Sequence, residues 1–359
     1  MEDQWLVQPP LLAETSAATA SHGRGDAAVR AAATQWVLFT RHVPQVLGTG
    51  CKLITMRKPE PNRLHGEVRA LLESGLIAGH RGEAYLQALG ALSAPARLPR
   101  SVCLDAAGRS VSSAPTEDTG MNSWASAMKQ CTVTSYDYWD TVGGTPAAFV
   151  RPWELVGEIV SGAVGGIIDF GYGSIGQLQA LASLGFTCTG IEASRGLHAL
   201  YSPDSAAVRL LYDDATGPLL RYLASQEPGK ASVFISKNTL KKGYVNPDPP
   251  HQRVMALGVS DSQFLSAVHK ALCPGGMAMI YNIHPSMKPP YRSWADGRCP
   301  YTVGQCEDAG FRVVAHDADD TAFAIAMGKA LGWGDQMDVD EDLFATYTLL
   351  QRPLQQSSL

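Results

Sequence analysis

Three glycines between two acidic residues form the part of this sequence best suited to chemistry. Gly171, Gly173 and Gly176 follow Asp169, and Glu192 ends the next apolar run. Glycine lets the backbone turn sharply and approach a ligand closely. An acid at the end of the following strand can accept hydrogen bonds from both hydroxyls of a ribose. These residue types in this order predict a nucleotide-binding site.

The residues around the glycines predict the elements that position them. One apolar run ends at Asp169, and the glycines are followed by an alanine- and leucine-rich segment and a second apolar run at 187–192. The order is strand, glycine turn, helix and strand, which is a βαβ unit. The helix begins beside the turn with free N–H groups. The glycine spacing fits a dinucleotide site and an S-adenosylmethionine (SAM) site equally, so other parts of the chain have to separate the two.

Strands and helices alternate from Glu192 to the end of the chain. We predict further strands at 208–212, 231–236, 277–283, 311–316 and 343–351, and helices at about 217–226, 261–272 and 302–309. Together with the βαβ unit these make a sheet of seven strands. Helices between most strands indicate a doubly wound α/β fold.

The chain before the sheet has a different character. Residues 1–26 are rich in Ala, Ser, Thr and Gly, which predicts a disordered arm. Apolar residues three and four positions apart predict a mainly helical N-terminal region over 27–120, with a short hairpin turning at 107–108. This region could serve as a cap, as the dimerisation surface of a homodimer, or as a packing extension with no role in function. The ligand-binding domain is expected over 121–359.

Charge and composition argue against several classes of protein. A net charge of −5 and an isoelectric point near 6.0 disfavour a nucleic-acid partner, which would need a basic face. No apolar run reaches membrane-spanning length, and the MEDQW start lacks the basic region of a signal peptide. We therefore expect a cytoplasmic protein without a membrane partner. The seven cysteines lack metal-ligand spacing, so no metal site is expected.

Three features resemble class I SAM-dependent methyltransferases of the small-molecule type. The segment LCPGGMAMIYNI resembles the LKPGG turn before the fifth strand of that family. The turn at 309–311 and the final apolar strand resemble its closing hairpin. Acids also stand at the family's positions at the strand ends: Asp169, Glu192, Asp213 and Asp214. The resemblance covers roughly residues 130–351 and implies a Rossmann-like methyltransferase sheet, with methyl transfer from SAM to a small molecule.

The resemblance also implies a set of cofactor-binding residues. The three glycines would let the backbone run close to the methionine part and the ribose of SAM. Asp169 would lie near the amino end of the cofactor, and Glu192 would hold the ribose hydroxyls. Asp213 or Asp214 would accept the adenine amino hydrogens.

An aromatic segment, SYDYWD at 135–140, precedes the sheet. It resembles segments of the family in which a tyrosine closes over the cofactor, and Tyr136 or Tyr138 could take that part; Tyr138 is also a candidate catalytic residue. An aromatic ring suits the poorly hydrated sulfonium cation of SAM. Packing of these rings in the domain interface is the alternative.

Residues after the predicted fourth and fifth strands are the candidates for catalysis, because ligands gather at the carboxyl ends of such strands. Asn238 follows the fourth strand and could contact the cofactor or the acceptor, His251 lies in a Pro-rich loop, and His284 ends the fifth strand. A histidine is a suitable base near neutral pH, although either histidine could instead make structural hydrogen bonds. Basic residues in the same loops could hold an acidic group of the acceptor: Lys237, Lys241, Lys242, Lys288, Arg292 and Arg298.

Two alternatives to a methyltransferase of small molecules remain open. An NAD(P)-dependent oxidoreductase is disfavoured because no Tyr-x-x-x-Lys pairing follows the sheet. A methyltransferase-like binding subunit without catalysis stays open, because SKNT replaces the Asn/Asp-Pro-Pro-aromatic signature of amino methylation after the fourth strand. The methylated atom, whether O, N or thioether S, is not fixed by the sequence.

Overall fold

The computed structural model describes sixteen segments of the 359-residue chain. They are 45–46, 51–52, 63–93, 100–104, 110–111, 129–133, 139, 145–157, 165–192, 198–199, 201–202, 205–212, 229–250, 257–285, 291–335 and 337–354. The predicted arm at 1–26 and the predicted helix at about 217–226 lie outside these residues.

The described residues of the N-terminal part form two small sheets and two helices. The first sheet pairs β1 (Gln45–Val46) with β2 (Cys51–Lys52), and α1 (Arg63–Glu73) and α2 (His80–Gly90) follow. The second sheet is antiparallel and has the order β4-β3-β5: β3 (Arg100–Leu104), β4 (Ser110–Val111) and β5 (Lys129–Val133). The pairing of β3 with β4 confirms the predicted hairpin.

The central sheet has seven strands among the described residues. In chain order they are β6 (Gly166–Phe170), β7 (Cys188–Glu192), β8 (Val208–Tyr212), β9 (Ala231–Lys237), β10 (Leu272–Pro285), β11 (Arg312–Asp319) and β12 (Leu343–Gln351). Their spatial order is β11-β12-β10-β9-β6-β7-β8, and only β12 runs antiparallel to its neighbours. This is the Rossmann-like methyltransferase sheet, so the predicted fold class is confirmed.

Helices cover both faces of the sheet. In the part of the chain that the structure describes, they are α3 (Val150–Gly157), α4 (Gly176–Ser183), α5 (Lys242–Val245), α6 (Asp261–Ala271), α7 (Val303–Asp308), α8 (Thr321–Ala330) and α9 (Val339–Asp342). Capping boxes start α6 at Ser260 and α7 at Thr302. The sequence predicts no element at α8, because its run is apolar at most positions and gives no amphipathic period. None of the described helices is long and apolar enough to cross a membrane.

Two hydrophobic clusters lie on the two faces of the sheet. One contains Ile167 with the apolar residues of α1 to α4 and α8, and the other contains Ile168 with those of α6 and α7. The helices α1 and α2 are fixed on the first face by polar contacts as well. The buried Tyr85 hydroxyl donates to the Pro146 carbonyl at 2.8 Å, and the Thr145 hydroxyl donates to Glu67. The domain boundary at 120/121 stays a prediction.

Candidate functional site

The glycine turn lies at the carboxyl end of β6. Gly171 and Gly173 have φ angles of +77° and +62°, a region that favours glycine. The Gly171 N–H donates to the Ile191 carbonyl at 2.8 Å, which ties the turn to β7. A Cβ atom on Gly171 would overlap Thr239 Oγ1, so the turn also lies directly against the residues after β9.

Glu192 ends β7 beside this turn. Its Oε2 atom accepts a hydrogen bond from the Gly173 N–H at 3.0 Å. The structure therefore brings together the acid and the glycines that the sequence placed in one site. The carboxylate is partly buried.

Asp169 is buried under the turn with only 1% of its surface exposed. Gln177 Nε2 donates both to Asp169 Oδ2 at 3.0 Å and to the Tyr172 carbonyl at 2.7 Å. Burial raises the pKa of Asp169 to about 7, against the lowering effects of the Gln177 hydrogen bond and the charge of Lys237. The negative charge of Glu192 raises this pKa further. Asp169 therefore changes charge close to neutral pH.

Sequence reasoning missed Gln177. The available signal was its position as a polar residue directly after Gly176, in the first turn of α4. Such a residue on the inner side of a helix needs a buried partner.

The segment before α3 packs against the start of α4. A Cβ atom on Gly176 would lie 2.7 Å from Pro146 Cγ and 3.2 Å from Trp139 Cε3. Trp139 is 8% exposed, so one ring of the predicted aromatic segment does reach the glycine turn. Tyr136 and Tyr138 of that segment lie outside the described residues, as do Asp213, Asp214 and His251.

Asn238 connects the ends of β9 and β10. Its φ angle is +61°, its N–H donates to the Tyr281 carbonyl at 2.9 Å, and its Oδ1 accepts from the Ile283 N–H at 2.7 Å. These contacts give the side chain a structural use at the sheet edge. A catalytic or cofactor-binding role for Asn238 stays a prediction.

His284 lies at the end of β10, as predicted, but it is 3% exposed. It is covered by residues 291–298, called here the 291–298 segment, where a Cβ atom on Gly297 would overlap the imidazole ring. Burial lowers the pKa of His284 to about 4, and the charge of Lys241 lowers it further. A neutral imidazole that resists protonation is a weak general base.

The basic residues near His284 have partners of their own. Asp296 is fully buried and accepts from Arg298 Nη2 at 2.6 Å and from the Tyr291 hydroxyl at 2.9 Å. Burial raises the pKa of Asp296, but the hydrogen bonds from Arg298 and Tyr291 outweigh it and hold the pKa below its usual range. The ammonium of the buried Lys241 lies 4.2 Å from the ring centroid of Tyr244. The Arg298 guanidinium is therefore held by Asp296 and does not support a site for an acidic substrate group.

No family model matches the chain, and no curated protein matches it either. Solved structures do match. The 4+2 cyclase SpnF is 17% identical, with a TM-score of 0.39 over 60% of this chain and 86% of that chain. Geranyl diphosphate C-methyltransferase from Streptomyces coelicolor A3(2), solved with S-adenosyl-L-homocysteine, is 10% identical, with a TM-score of 0.39 over 57% of this chain and 76% of that chain.

A third similar structure is Haemonchus contortus phosphoethanolamine N-methyltransferase 2, solved with SAM. It is 12% identical, with a TM-score of 0.38 over 63% of each chain. At these identities and TM-scores the three structures assign no activity to this chain. The fold follows instead from the order and direction of its own strands.

Proposed function

We propose that this protein is a SAM-dependent methyltransferase that acts on a small molecule. The observation that carries the proposal is the glycine turn joined to Glu192 above the buried Asp169, at the carboxyl edge of a sheet with the methyltransferase strand order. In such sheets ligands bind outside the carboxyl ends of the strands, where the strand order reverses. Here that point lies between β6 and β9.

The residues at this edge suit the chemical groups of SAM. An ionised Asp169 would accept hydrogen bonds from an ammonium group, and the positive φ angles at the turn let the backbone pass close to a ribose. Glu192 accepts a hydrogen bond from the turn, and a carboxylate at the end of this strand is the type of group that accepts hydrogen bonds from ribose hydroxyls. SAM supplies an activated methyl group on a sulfonium, and the chain supplies alignment of the acceptor with it.

The acceptor side of the site would be formed by the residues after β9 and β10. The low pKa of His284 does not suit an acceptor that must lose its proton to a strong base before transfer. The low pKa of His284 is compatible with a methyl acceptor whose attacking atom is already nucleophilic, such as a neutral amine, a thioether or an acidic hydroxyl. Alignment then contributes more to the rate than proton removal.

Calorimetry of the full chain against SAM, S-adenosylhomocysteine and NADPH tests the cofactor. We expect the two adenosyl ligands to bind and NADPH not to bind; the reverse result would replace the proposal with an oxidoreductase. A panel of small metabolites incubated with methyl-labelled SAM then tests the activity. Binding of SAM without transfer to any of the metabolites would favour a binding subunit over an enzyme.

The remaining expectations on partners and location stay predictions. A homodimer through the N-terminal region is tested by light scattering of the full chain, and truncation before α1 should leave the sheet folded if residues 1–62 serve only as an arm or a dimer contact. Absence of nucleic-acid binding is tested at low salt, where any phosphate contacts would be strongest.

A further inference from the structure

Two buried side chains on one face of β10 each carry a hydrogen-bond acceptor that has no partner among the described residues. Asn282 is 1% exposed and His284 is 3% exposed. Among the described residues, Asn282 Oδ1 and His284 Nε2 make no hydrogen bond. Residues two apart in a strand point to the same face and have Cα atoms about 7 Å apart. The Asn282 and His284 side chains are therefore neighbours on that face.

The orientation of the Asn282 amide is fixed by its neighbours. Nδ2 lies 2.9 Å from the Leu240 carbonyl oxygen and 2.8 Å from the Gly297 carbonyl oxygen. Both neighbours accept hydrogen bonds and cannot donate them, so the NH2 group must face them. The unpaired atom of this side chain is therefore its oxygen.

The tautomer of His284 is fixed in the same way. Nδ1 lies 3.1 Å from the Pro285 carbonyl oxygen, which requires a proton on Nδ1. The ring is neutral because burial and the charge of Lys241 oppose a second proton. His284 Nε2 therefore carries a lone pair and can only accept a hydrogen bond.

An unpaired buried acceptor destabilises the folded state, and most buried polar atoms in folded proteins have a partner. Both unpaired atoms here are acceptors, so the group that satisfies them must donate. We propose that Asn282 Oδ1 and His284 Nε2 form a binding site for a neutral hydrogen-bond donor of a small ligand, namely a hydroxyl or an uncharged N–H group. That this ligand is the methyl acceptor rests on the proposed function, whereas the site itself does not.

Charges around the pair argue against an ionic ligand. The charges acting on His284 are those of Lys241, Asp296 and Arg298. Asp296 and Arg298, paired at 2.6 Å, act on His284 in opposite directions, and the effect of the positive charge of Lys241 on His284 is larger than that of either one and disfavours a cation in the site. An ionised carboxylate or phosphate carries no hydrogen-bond donor, so its own lone pairs would face the lone pairs of Asn282 Oδ1 and His284 Nε2 and repel them. A neutral donor avoids both penalties.

The experiment follows the His284 ring by NMR. The full chain is labelled with 15N-histidine, and His284→Phe identifies the His284 signals among those of the nine histidines. The probes are phenol and benzamide, which donate, and anisole and benzoate, which do not. Acetamide and acetate form a smaller pair for a site too narrow for a ring. We expect a saturable shift of the Nε2 signal with the donors and none with the other probes.

A matched control removes a different unpaired group from the same face. The Tyr301 hydroxyl is buried and unpartnered among the described residues, so Tyr301→Phe should leave the response to the donors unchanged. His284→Phe should weaken binding of the donor probes by about tenfold, as expected for loss of a buried hydrogen bond. Equal shifts with donors and non-donors, or equal loss of binding in both variants, would refute the site.

A water molecule offers the same chemistry as the proposed ligand. If a permanently held water satisfies the two acceptors, none of the probes will shift the Nε2 signal, and the inference is wrong. Calorimetry with SAM on the same samples separates this outcome from the proposed function. Binding of SAM without a probe shift refutes only the donor site, and a probe shift without SAM binding refutes only the cofactor assignment.

Discussion

Protonation of Asp169 should control how tightly the protein binds SAM near neutral pH. Its carboxyl is buried beneath the glycine turn, with a pKa of about 7. Only the ionised form attracts the ammonium group that the proposed function brings to it. Lowering the pH should therefore weaken SAM binding by removing the charge.

The size of this effect follows from the pKa. About one half of the Asp169 carboxyl is ionised at pH 7 and about one eleventh at pH 6, so the affinity should fall by about fivefold over this interval. The amino group of an amino-acid ligand titrates at roughly 7.7–8.0 and stays charged in this range. The change can thus be assigned to the protein.

Gln177→Leu should move this pH dependence. The Gln177 amide donates to Asp169 at 3.0 Å and favours the ionised form. A hydrogen bond to a charged group contributes about 1.5–3 kcal/mol, and one pH unit corresponds to about 1.4 kcal/mol. The midpoint of the affinity curve should therefore rise by about one pH unit or more. Gln179→Leu makes the same chemical change two positions along α4 and should not move the midpoint.

The assay is calorimetry between pH 6 and pH 7.5 with wild type and both variants, and the raised midpoint of Gln177→Leu is read as a weaker affinity for SAM than that of wild type at pH 7.5, still rising with pH at the top of the range. Methylthioadenosine, which lacks the amino-acid part of SAM, is the ligand control and should bind equally at all pH values. An affinity for SAM that is flat across this range would show that Asp169 is not the partner of the ammonium. A Gln177→Leu variant with an unmoved midpoint would show that the amide does not control the carboxyl.

Three further predictions concern stability and are measured by thermal or urea unfolding. Asp169→Asn should stabilise the ligand-free protein at pH 8. The pKa of Asp169 is about 7 in the folded state and about 3.9 in the unfolded state. The free energy of unfolding of wild type therefore falls by on the order of 4 kcal/mol as the pH rises from 4 to 7, and the variant avoids this loss. A variant that is no more stable than wild type at pH 8 would contradict this. Gly171→Ala should destabilise by more than Gly75→Ala, since both have positive φ but only at Gly171 does a Cβ overlap another atom; equal losses would mean that φ alone matters. Asp320→Asn should cost roughly 3 kcal/mol by removing the 2.7 Å pair with Arg151, and a loss below 1 kcal/mol would show that the pair is well solvated.

The strands of the sheet could be predicted from the sequence because each is a short apolar run bounded by turn residues. The bounds of β8 and β12 agree with the predicted 208–212 and 343–351. β10 begins earlier than predicted, since the Pro-Gly-Gly turn lies inside it as an irregularity between Leu272 and Met277. The helix α8 was missed because a mostly apolar run gives no amphipathic period.

The candidate site was predictable only where it depends on local sequence. The contact of Gly173 with Glu192 follows from the βαβ order, and Glu192 lies where the pattern predicts. The state of His284 does not follow from its position at a strand end. It depends on Lys241 from one loop and on Gly297 and Asp296 from another, and contacts between distant segments leave no pattern in a single sequence.

The affinity of Glu192→Ala for SAM tests the central claim most directly, because Glu192 is the residue that joins the glycine turn to the proposed ribose site. Calorimetry at pH 7.5 compares this variant with wild type and with Glu341→Ala, which removes an exposed acid at α9. We expect wild type and Glu341→Ala to bind SAM equally, and Glu192→Ala to bind it at least about tenfold more weakly, as for loss of a hydrogen bond to a charged group. Unchanged SAM affinity in Glu192→Ala, with the variant folded, would contradict the proposed site.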